Sequence, residues 1–118
     1  MKILILDDDV HLLEALKRVL EMNGHEVECS SSAREAVGIV GIGAYDFVLV
    51  DYKMPENDGI WFMENAQIPR STRVLLITAY VNRDVINRMF VLGASGYLIK
   101  PFDEEELLRN LNFFSTDE

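Results

Sequence analysis

Four apolar segments of this chain each end on a polar residue of a type that phosphoryl chemistry uses. The run ILIL leads into three aspartates at residues 7–9, and DFVLV leads into Asp51. RVLLI leads into Thr78, and GYLI leads into Lys100 and Pro101. Carboxylates, a hydroxyl and an ammonium are costly at the ends of buried strands unless something pairs them. The set is therefore a candidate site for a divalent cation and a phosphoryl group.

The composition indicates one folded domain in a reducing compartment. The chain has 118 residues, of which 49% are hydrophobic and 26% are charged, so we expect a single globular domain over residues 1–118. Apolar runs are shorter than the roughly 18 residues of a membrane span, and charge follows the first run too soon for a signal peptide. The single cysteine, Cys29, excludes an internal disulfide. We therefore expect a cytoplasmic protein with no membrane partner.

The net charge of −9 argues against direct binding of nucleic acid, because a surface that binds phosphates must be basic. Part of the negative charge belongs to the aspartates of the candidate site. Much of the rest lies at residues 103–106 and 117–118, where a solvated helix start and tail are the simplest interpretation. The acidity favours solubility and names no partner.

Strand patterns and helix patterns alternate along the chain. Residues 2–6, 46–50 and 73–77 are almost wholly apolar, which is typical of strands covered on both faces. Residues 26–29 alternate between polar and apolar, as in an edge strand, and residues 96–99 form a short fifth strand. Helical patterns cover residues 10–23, 32–41, 59–67, 82–92 and 103–114.

Small polar residues stand at several of the predicted helix starts. Asp9 is placed to cap the first helix, which makes it a helix cap rather than a metal ligand. Ser31 or Ser32 caps the second helix, and Asp103 caps the last. Gly24 follows the first helix as a stop signal.

Five strand–helix units in succession predict an α/β domain with a parallel sheet, right-handed crossovers and helices on both faces. In such open sheets, ligands bind outside the carboxyl ends of the strands, where the strand order reverses. Asp7, Asp8, Asp51, Thr78 and Lys100 would all meet at that edge.

Over essentially its whole length the chain resembles the receiver domain of two-component response regulators. The resemblance implies a flavodoxin-like (βα)5 fold with strand order 2-1-3-4-5. It also implies a signalling switch rather than an enzyme with turnover. The matching parts are the pair Asp7-Asp8, Asp51 in VDYKMPENDG, Thr78 in LLITA, Tyr97 in GYLIKP, and Lys100-Pro101.

The resemblance implies a role for each polar residue of the site. Asp51 would accept the phosphoryl group from a sensor histidine kinase or a phosphotransfer protein, with Mg²⁺ or Mn²⁺ as cofactor. Asp8, Asp51 and the backbone carbonyl of Lys53 would hold the cation directly, and Asp7 would act through water. Lys100 would pair with a phosphoryl oxygen.

The same resemblance implies how phosphorylation would be read. Thr78 would bond a phosphoryl oxygen, and the Tyr97 ring would move into the space that Thr78 leaves. This would change the surface of the fourth helix, fifth strand and fifth helix, which meets an output protein or domain. The resemblance also implies a cis Lys100-Pro101 bond and a kinase-docking surface on the exposed side of the first helix. The apolar stripe of that helix is wider than one packed face requires. Either Leu12 or Leu13 therefore lies near the surface, or broad packing buries all of the apolar residues.

Two further positions matter for the phosphoryl lifetime. Lys53 stands two residues after Asp51, and Tyr80 stands two residues after Thr78. In the family these positions flank the path of the attacking water, so a bulky Tyr80 is predicted to slow hydrolysis.

Two alternatives stay open at this point. The run from Asp7 to Val10 is also similar to the nucleophile motif of haloacid-dehalogenase-like phosphatases, which would make Asp7 the nucleophile and the chain an enzyme. That interpretation leaves Asp51 without a role and lacks a convincing later acidic motif. The chain is otherwise a receiver-like adaptor that accepts no phosphate, although its set of site residues is complete.

Overall fold

The computed structural model describes residues 1–115, in which five strands alternate with five helices. The alternation follows the predicted pattern of apolar and amphipathic segments. The elements are β1 (Lys2–Leu6), α1 (Val10–Met22), β2 (Glu26–Ser30), α2 (Ala33–Val40), β3 (Phe47–Asp51), α3 (Gly59–Asn65), β4 (Arg73–Thr78), α4 (Arg83–Val91), β5 (Gly96–Ile99) and α5 (Glu104–Ser115).

The strands form one parallel sheet in the order β2-β1-β3-β4-β5, which confirms the flavodoxin-like topology. The edge position of β2 explains why its sequence alternates between polar and apolar residues. Asp51 pairs with Ile77, and Thr78 pairs with Ile99. The chain therefore brings the ends of β3, β4 and β5 to one edge of the sheet.

Two apolar clusters cover the two faces of the sheet. Leu4 and Leu6 face a cluster that includes side chains of α2, α3 and α4, whereas Ile3 and Ile5 face one with side chains of α1 and α5. All four side chains are fully buried. Each contributes roughly 1.5–3 kcal/mol by leaving water, so β1 anchors both layers.

The predicted N-caps of three helices are confirmed. The side chains of Asp9, Ser32 and Asp103 accept hydrogen bonds from the backbone N–H groups three residues further on, at 3.1, 3.3 and 2.8 Å. Each bond satisfies one of the N–H groups that a helix start leaves free. Asp58 and Asn82 cap α3 and α4 in the same way.

The third helix is shorter than the predicted segment 59–67. It ends at Asn65, and Ala66 already has extended backbone with φ −83° and ψ 142°. The helix ends where the backbone of Ala66 becomes extended, and the N–H of Ala66 closes the last turn on the carbonyl of Phe62. The other predicted boundaries differ by at most one residue. None of the helices within residues 1–115 is both long enough and apolar enough to cross a membrane.

Candidate functional site

The strand ends bring the predicted polar residues together. Asp51 and Thr78 are the last residues of β3 and β4, while Asp7 and Lys100 directly follow β1 and β5. Carboxylate oxygens of Asp7, Asp8 and Asp51 lie within 4.8 Å of one another. Three carboxylates this close repel each other strongly, so the site needs positive charge.

Lys100 supplies positive charge to two of these carboxylates. Its Nζ lies 2.7 Å from Oδ2 of Asp7 and 3.5 Å from Oδ2 of Asp51. Asp7 is fully buried, and its other oxygen accepts the N–H of Asp9 at 2.9 Å. Both oxygens of Asp7 are therefore engaged, which is how a fully buried carboxylate is tolerated.

The protonation of Asp51 responds to this crowding. Burial and, to a lesser extent, the neighbouring charge of Asp7 raise the pKa of Asp51 to about 6, against the opposing effect of Lys100. Burial alone would lower the pKa of Lys100, but the hydrogen bond that Lys100 donates to Asp7 and the charge of Asp51 outweigh burial and raise it. Lys100 is therefore charged at neutral pH, and Asp51 is a carboxylate poised close to protonation.

The donors at the site suit a hard divalent cation. Mg²⁺ takes carboxylate and carbonyl oxygens and keeps several of its waters. Asp8 is exposed to solvent, and Asp51 lines an open cavity, so both have oxygens that a hydrated cation can reach. Asp7 is already bonded to Lys100 and to Asp9. The chemistry of the donor set therefore fits Mg²⁺.

An open cavity of about 280 Å³ lies above Asp51. Thr78 is fully buried in its wall, and its hydroxyl oxygen accepts the N–H of Tyr80 at 2.9 Å. That bond leaves the hydroxyl proton available to another acceptor. The cavity is wide enough for a phosphoryl group. Its lining residues are Asp51, Lys53, Thr78, Ala79, Tyr80 and Lys100.

One residue of the cavity wall, Tyr80, belongs to an aromatic pair that the sequence did not reveal. The rings of Tyr52 and Tyr80 are stacked, with centroids 5.4 Å apart and planes inclined by 19°. The ammonium of Lys53 lies 4.7 Å from the centre of the Tyr80 ring. The only signal in the sequence was an aromatic residue directly after the last residue of β3, and its partner lies 28 positions further on.

The remaining predicted residues lie around the site. The peptide bond between Lys100 and Pro101 is cis. The Tyr97 ring is 44% exposed on the edge strand β5 and contacts Phe90 edge to face, at 6.1 Å between centroids. On α1, Leu13 is buried and Leu12 is half-buried.

Leu12 lines a mainly apolar groove of about 360 Å³ between α1 and the start of α5. Phe102 and Leu107 form part of the opposite wall. Lys100 also lines this groove, so the groove adjoins the carboxylate cluster.

Comparison with known proteins agrees with the fold. The family model described as the response regulator receiver domain matches residues 3–112. Transcriptional regulatory protein CrdR of Helicobacter pylori is 34% identical over 119 residues, covering 99% of this chain and 56% of its own length. Sporulation initiation phosphotransferase F of Bacillus subtilis is 35% identical over 107 residues, covering 90% of this chain and 86% of its own length.

Solved structures show the same architecture. The chemotaxis protein CheY4 of Vibrio cholerae has a TM-score of 0.87 at 28% identity, covering 95% of this chain and 96% of its own. A CheY-like receiver domain protein from Methanospirillum hungatei has a TM-score of 0.90 at 29% identity, covering 96% and 91%.

Several of the curated relatives are longer than this chain, which spans about half the length of CrdR and of PmrA from Pectobacterium parmentieri. The match over residues 3–112 nevertheless includes every strand of the sheet and every residue of the carboxylate cluster. The chain therefore belongs to the response regulator receiver domain family, the signalling switches of two-component systems.

Proposed function

We propose that this chain is a single phosphoacceptor receiver domain in which Asp51 takes a phosphoryl group from a sensor histidine kinase or a phosphotransfer protein. The observation that carries the proposal is the position of Asp51. Its carboxylate lines an open cavity with a lysine ammonium 3.5 Å away and a threonine hydroxyl in the wall. One relative is itself named a phosphotransferase. The chain would catalyse only its own phosphorylation and dephosphorylation.

The chemistry is a transfer between two covalent carriers. An oxygen of Asp51 attacks phosphorus, the new O–P bond forms as the bond to the donor histidine breaks, and the histidine nitrogen keeps the electron pair. A bound Mg²⁺ or Mn²⁺, held by Asp8, Asp51 and the backbone carbonyl of Lys53, with Asp7 acting through water, would neutralise the charge between carboxylate and phosphoryl oxygens. Lys100 pairs with a phosphoryl oxygen.

Lys100 must give up part of its contact with Asp7 in order to pair with a phosphoryl oxygen. Without a phosphoryl group, its ammonium is closer to Asp7 than to Asp51, at 2.7 against 3.5 Å. A phosphoryl group on Asp51 adds about 1.5 to 2 negative charges beside the same ammonium. Lys100 would therefore turn from Asp7 toward the phosphoryl group, and a bound cation would supply the positive charge that Asp7 then lacks.

The output would be a change of surface. Thr78 donates its hydroxyl proton to a phosphoryl oxygen and moves toward Asp51, and the exposed ring of Tyr97 turns into the vacated space. That rotation separates Tyr97 from Phe90 of α4 and remodels the surface of α4, β5 and α5. An output protein or output domain that binds this surface would then sense the phosphorylation state.

Replacing Thr78 by alanine tests this coupling. We expect Asp51 to be phosphorylated still, while the phosphorylation-dependent change in partner affinity falls from tenfold or more to less than about twofold, because the reporting hydroxyl is gone. The readouts are the mass of the adduct and the NMR signals of the Tyr97 ring with beryllofluoride. Thr72→Ala is the matched control, since its hydroxyl binds the carbonyl of Tyr45 instead. A Thr78→Ala variant that still switches its partner would contradict the coupling.

The kinase or phosphotransfer protein would dock next to the phosphorylation site. The apolar groove between α1 and α5 adjoins Lys100, so a helix that binds there can present a phosphohistidine to Asp51. The net charge of −9 favours protein partners over nucleic acid for this domain, and we propose a cytoplasmic location.

The phosphoacceptor itself is tested with acetyl phosphate and Mg²⁺. Wild type, Asp51→Asn and Asp7→Asn are incubated, and the adduct is followed by intact mass and by the fluorescence of Trp61. We expect a stable adduct in wild type and none in Asp51→Asn. Steady phosphate release that survives Asp51→Asn and fails in Asp7→Asn would instead support a phosphatase. No adduct in any variant would support an adaptor without phosphoryl transfer.

The geometry already weighs against Asp7 as nucleophile. Its side chain is fully buried, with one oxygen on Lys100 and the other on the N–H of Asp9. Asp9, the second aspartate of the phosphatase-like motif that begins at Asp7, accepts a hydrogen bond from the N–H of Leu12 and caps the helix. Asp51 is the carboxylate that lines the cavity.

A further inference from the structure

We propose that Tyr52 is a positioning residue that lengthens the life of the phosphoryl group on Asp51 by holding the ring of Tyr80 at the mouth of the cavity. The inference rests on the proposed function, since it concerns the hydrolysis of that adduct. It assigns a role to a residue that lies outside the cavity lining and touches no reacting atom.

Tyr80 is the mobile partner of the pair. It lies in the loop between β4 and α4, and it is 37% exposed. A half-exposed ring on a loop ordinarily changes rotamer within nanoseconds. Here the ring is held by the stacked ring of Tyr52, by the ammonium of Lys53 at 4.7 Å, and at its hydroxyl by the amide of Asn82 at 3.4 Å.

Tyr52 is the fixed partner. Its side chain packs against the apolar cluster that joins the sheet to α3, and its carbonyl accepts the N–H of Gly59 at 2.8 Å. The backbone there is tightly packed, because a Cβ on Gly59 would lie 2.6 Å from the carbonyl oxygen of Asp51. The Tyr80 ring is therefore held in place, through Tyr52, by the same backbone segment that carries the phosphoacceptor Asp51.

Hydrolysis must use the mouth that this ring borders. The water oxygen attacks phosphorus in line with the bond to Asp51, that bond breaks, and the carboxylate leaves with the electron pair. The proton of the water passes to the departing inorganic phosphate. The in-line direction points away from Asp51 into the open cavity, whose lining includes Tyr80 and Lys53. A fixed ring there obstructs the approach of water, and a mobile ring opens it.

The stack and the cation–aromatic contact also depend on each other. Lys53 is exposed and lies over the face of Tyr80, so a ring that moves takes the binding position of the ammonium with it. Losing Tyr52 would therefore loosen two wall residues at once. The hydroxyl of Tyr52 has no part in this, and phenylalanine at the same position keeps the stacking surface.

The experiment measures the decay of the phosphorylated protein after acetyl phosphate is removed, by intact mass at fixed Mg²⁺. The variants are Tyr52→Ala, Tyr52→Leu, Tyr52→Phe, Tyr80→Ala and the double alanine variant. We expect Tyr52→Ala and Tyr52→Leu to shorten the lifetime about fivefold, which corresponds to about 1 kcal/mol, the strength of one aromatic pair. Tyr52→Phe should stay within about twofold of wild type.

Two readouts separate positioning from a general loss of structure. The double alanine variant should decay at the rate of Tyr80→Ala alone, because Tyr52 acts through that ring. The Mg²⁺ affinity and the rate of adduct formation should be unchanged in Tyr52→Leu, which keeps apolar volume against the core. Ile42→Ala, at an exposed position after α2, is the control for an unrelated apolar truncation.

The possible outcomes are distinct. An adduct in every variant with the lifetimes above supports the inference. An adduct with unchanged or longer lifetimes in Tyr52→Ala and Tyr52→Leu overturns it and leaves the proposed function standing. Additive effects of the two alanine substitutions also overturn it. No adduct in wild type overturns the proposed function, and the inference with it.

Discussion

We expect Lys100→Met to lower the free energy of unfolding by about 3 kcal/mol at pH 7 without Mg²⁺. The same substitution should slow the phosphorylation of Asp51 by acetyl phosphate at least about 100-fold. The stability loss arises because Asp7 is fully buried and Lys100 is the cation 2.7 Å from its carboxylate. The value lies at the low end for a broken buried pair because the lysine side chain is 20% exposed.

The loss of rate has a second physical cause. Lys100 opposes the rise in the pKa of Asp51, so its removal raises that pKa further above about 6. A smaller fraction of Asp51 is then ionised at pH 7. The incoming phosphoryl group also loses its lysine partner, and the two effects act in the same direction.

A double substitution identifies the source of the instability. Lys100→Met with Asp7→Asn should regain most of the lost stability, because the buried group is then neutral, while phosphorylation stays slow. Lys17→Met, at an exposed position of α1, is the control for removal of a lysine and should change stability by less than about 0.5 kcal/mol. Denaturant unfolding and adduct mass are the measurements. A double variant as unstable as Lys100→Met would refute the pairing argument.

Asp51→Asn should do the opposite and stabilise the Mg²⁺-free protein at pH 7 by about 1–2 kcal/mol. Burial, together with the charge of Asp7, raises the pKa of Asp51 from 3.8 to about 6. Its charged form is therefore disfavoured in the folded protein at neutral pH. The gain is smaller than the whole shift would give, because the cavity is open to solvent and the charge is partly screened.

The pH dependence of stability gives the sign of this effect. Below about pH 4 the Asp51 carboxyl is protonated in both folded and unfolded protein, and it carries no penalty. As the pH rises from about 4 to 6, the unfolded chain loses that proton first, so wild type loses stability relative to Asp51→Asn. Above about 6 the difference is complete. Urea unfolding at a series of pH values measures it.

Mg²⁺ should narrow the stability difference between the two proteins. At ten times its dissociation constant, Mg²⁺ should stabilise wild type by about 1.4 kcal/mol, and Asp51→Asn by less than about half of that. Glu14→Gln, exposed on α1, removes the same charge far from the site and should behave like wild type. If the free energy of unfolding of wild type and of Asp51→Asn depended on pH in the same way, the charged form of Asp51 would not be destabilised by its surroundings.

The alternation of strands and helices and the polar residues at the strand ends were predictable from local patterns in the sequence, whereas the strand order came from the family resemblance. Continuous apolar runs such as FVLV predict strands covered on both faces, and the edge strand EVECS shows its position by alternating. A polar residue directly after each run lies at the carboxyl edge of a parallel sheet, whatever the order of the strands in that sheet. Asp9 was separated from the metal ligands by helix-capping rules alone, and it accepts the N–H of Leu12.

The contacts among those residues were not predictable, because they join positions far apart in the chain. Lys100 pairs with Asp7 across 93 positions, and it lies closer to Asp7 than to Asp51. The sequence interpretation had assigned Lys100 to the phosphoryl group alone. The predicted end of α3 was also wrong by two residues, because the last turn is set by the backbone geometry at Ala66 and not by the apolar pattern.

The amino-acid sequence alone therefore determines the α/β architecture, the caps, and which chemical groups meet at the edge of the sheet. Burial periodicity and residue type are properties of short segments, and both can be determined from the sequence without knowledge of the packing. Only the tertiary structure decides that Lys100 neutralises Asp7, that burial raises the pKa of Asp51 to about 6, and that Tyr52 supports Tyr80. Those facts depend on distances of a few ångströms between separate strands and loops, because electrostatic and stacking energies fall steeply over that range.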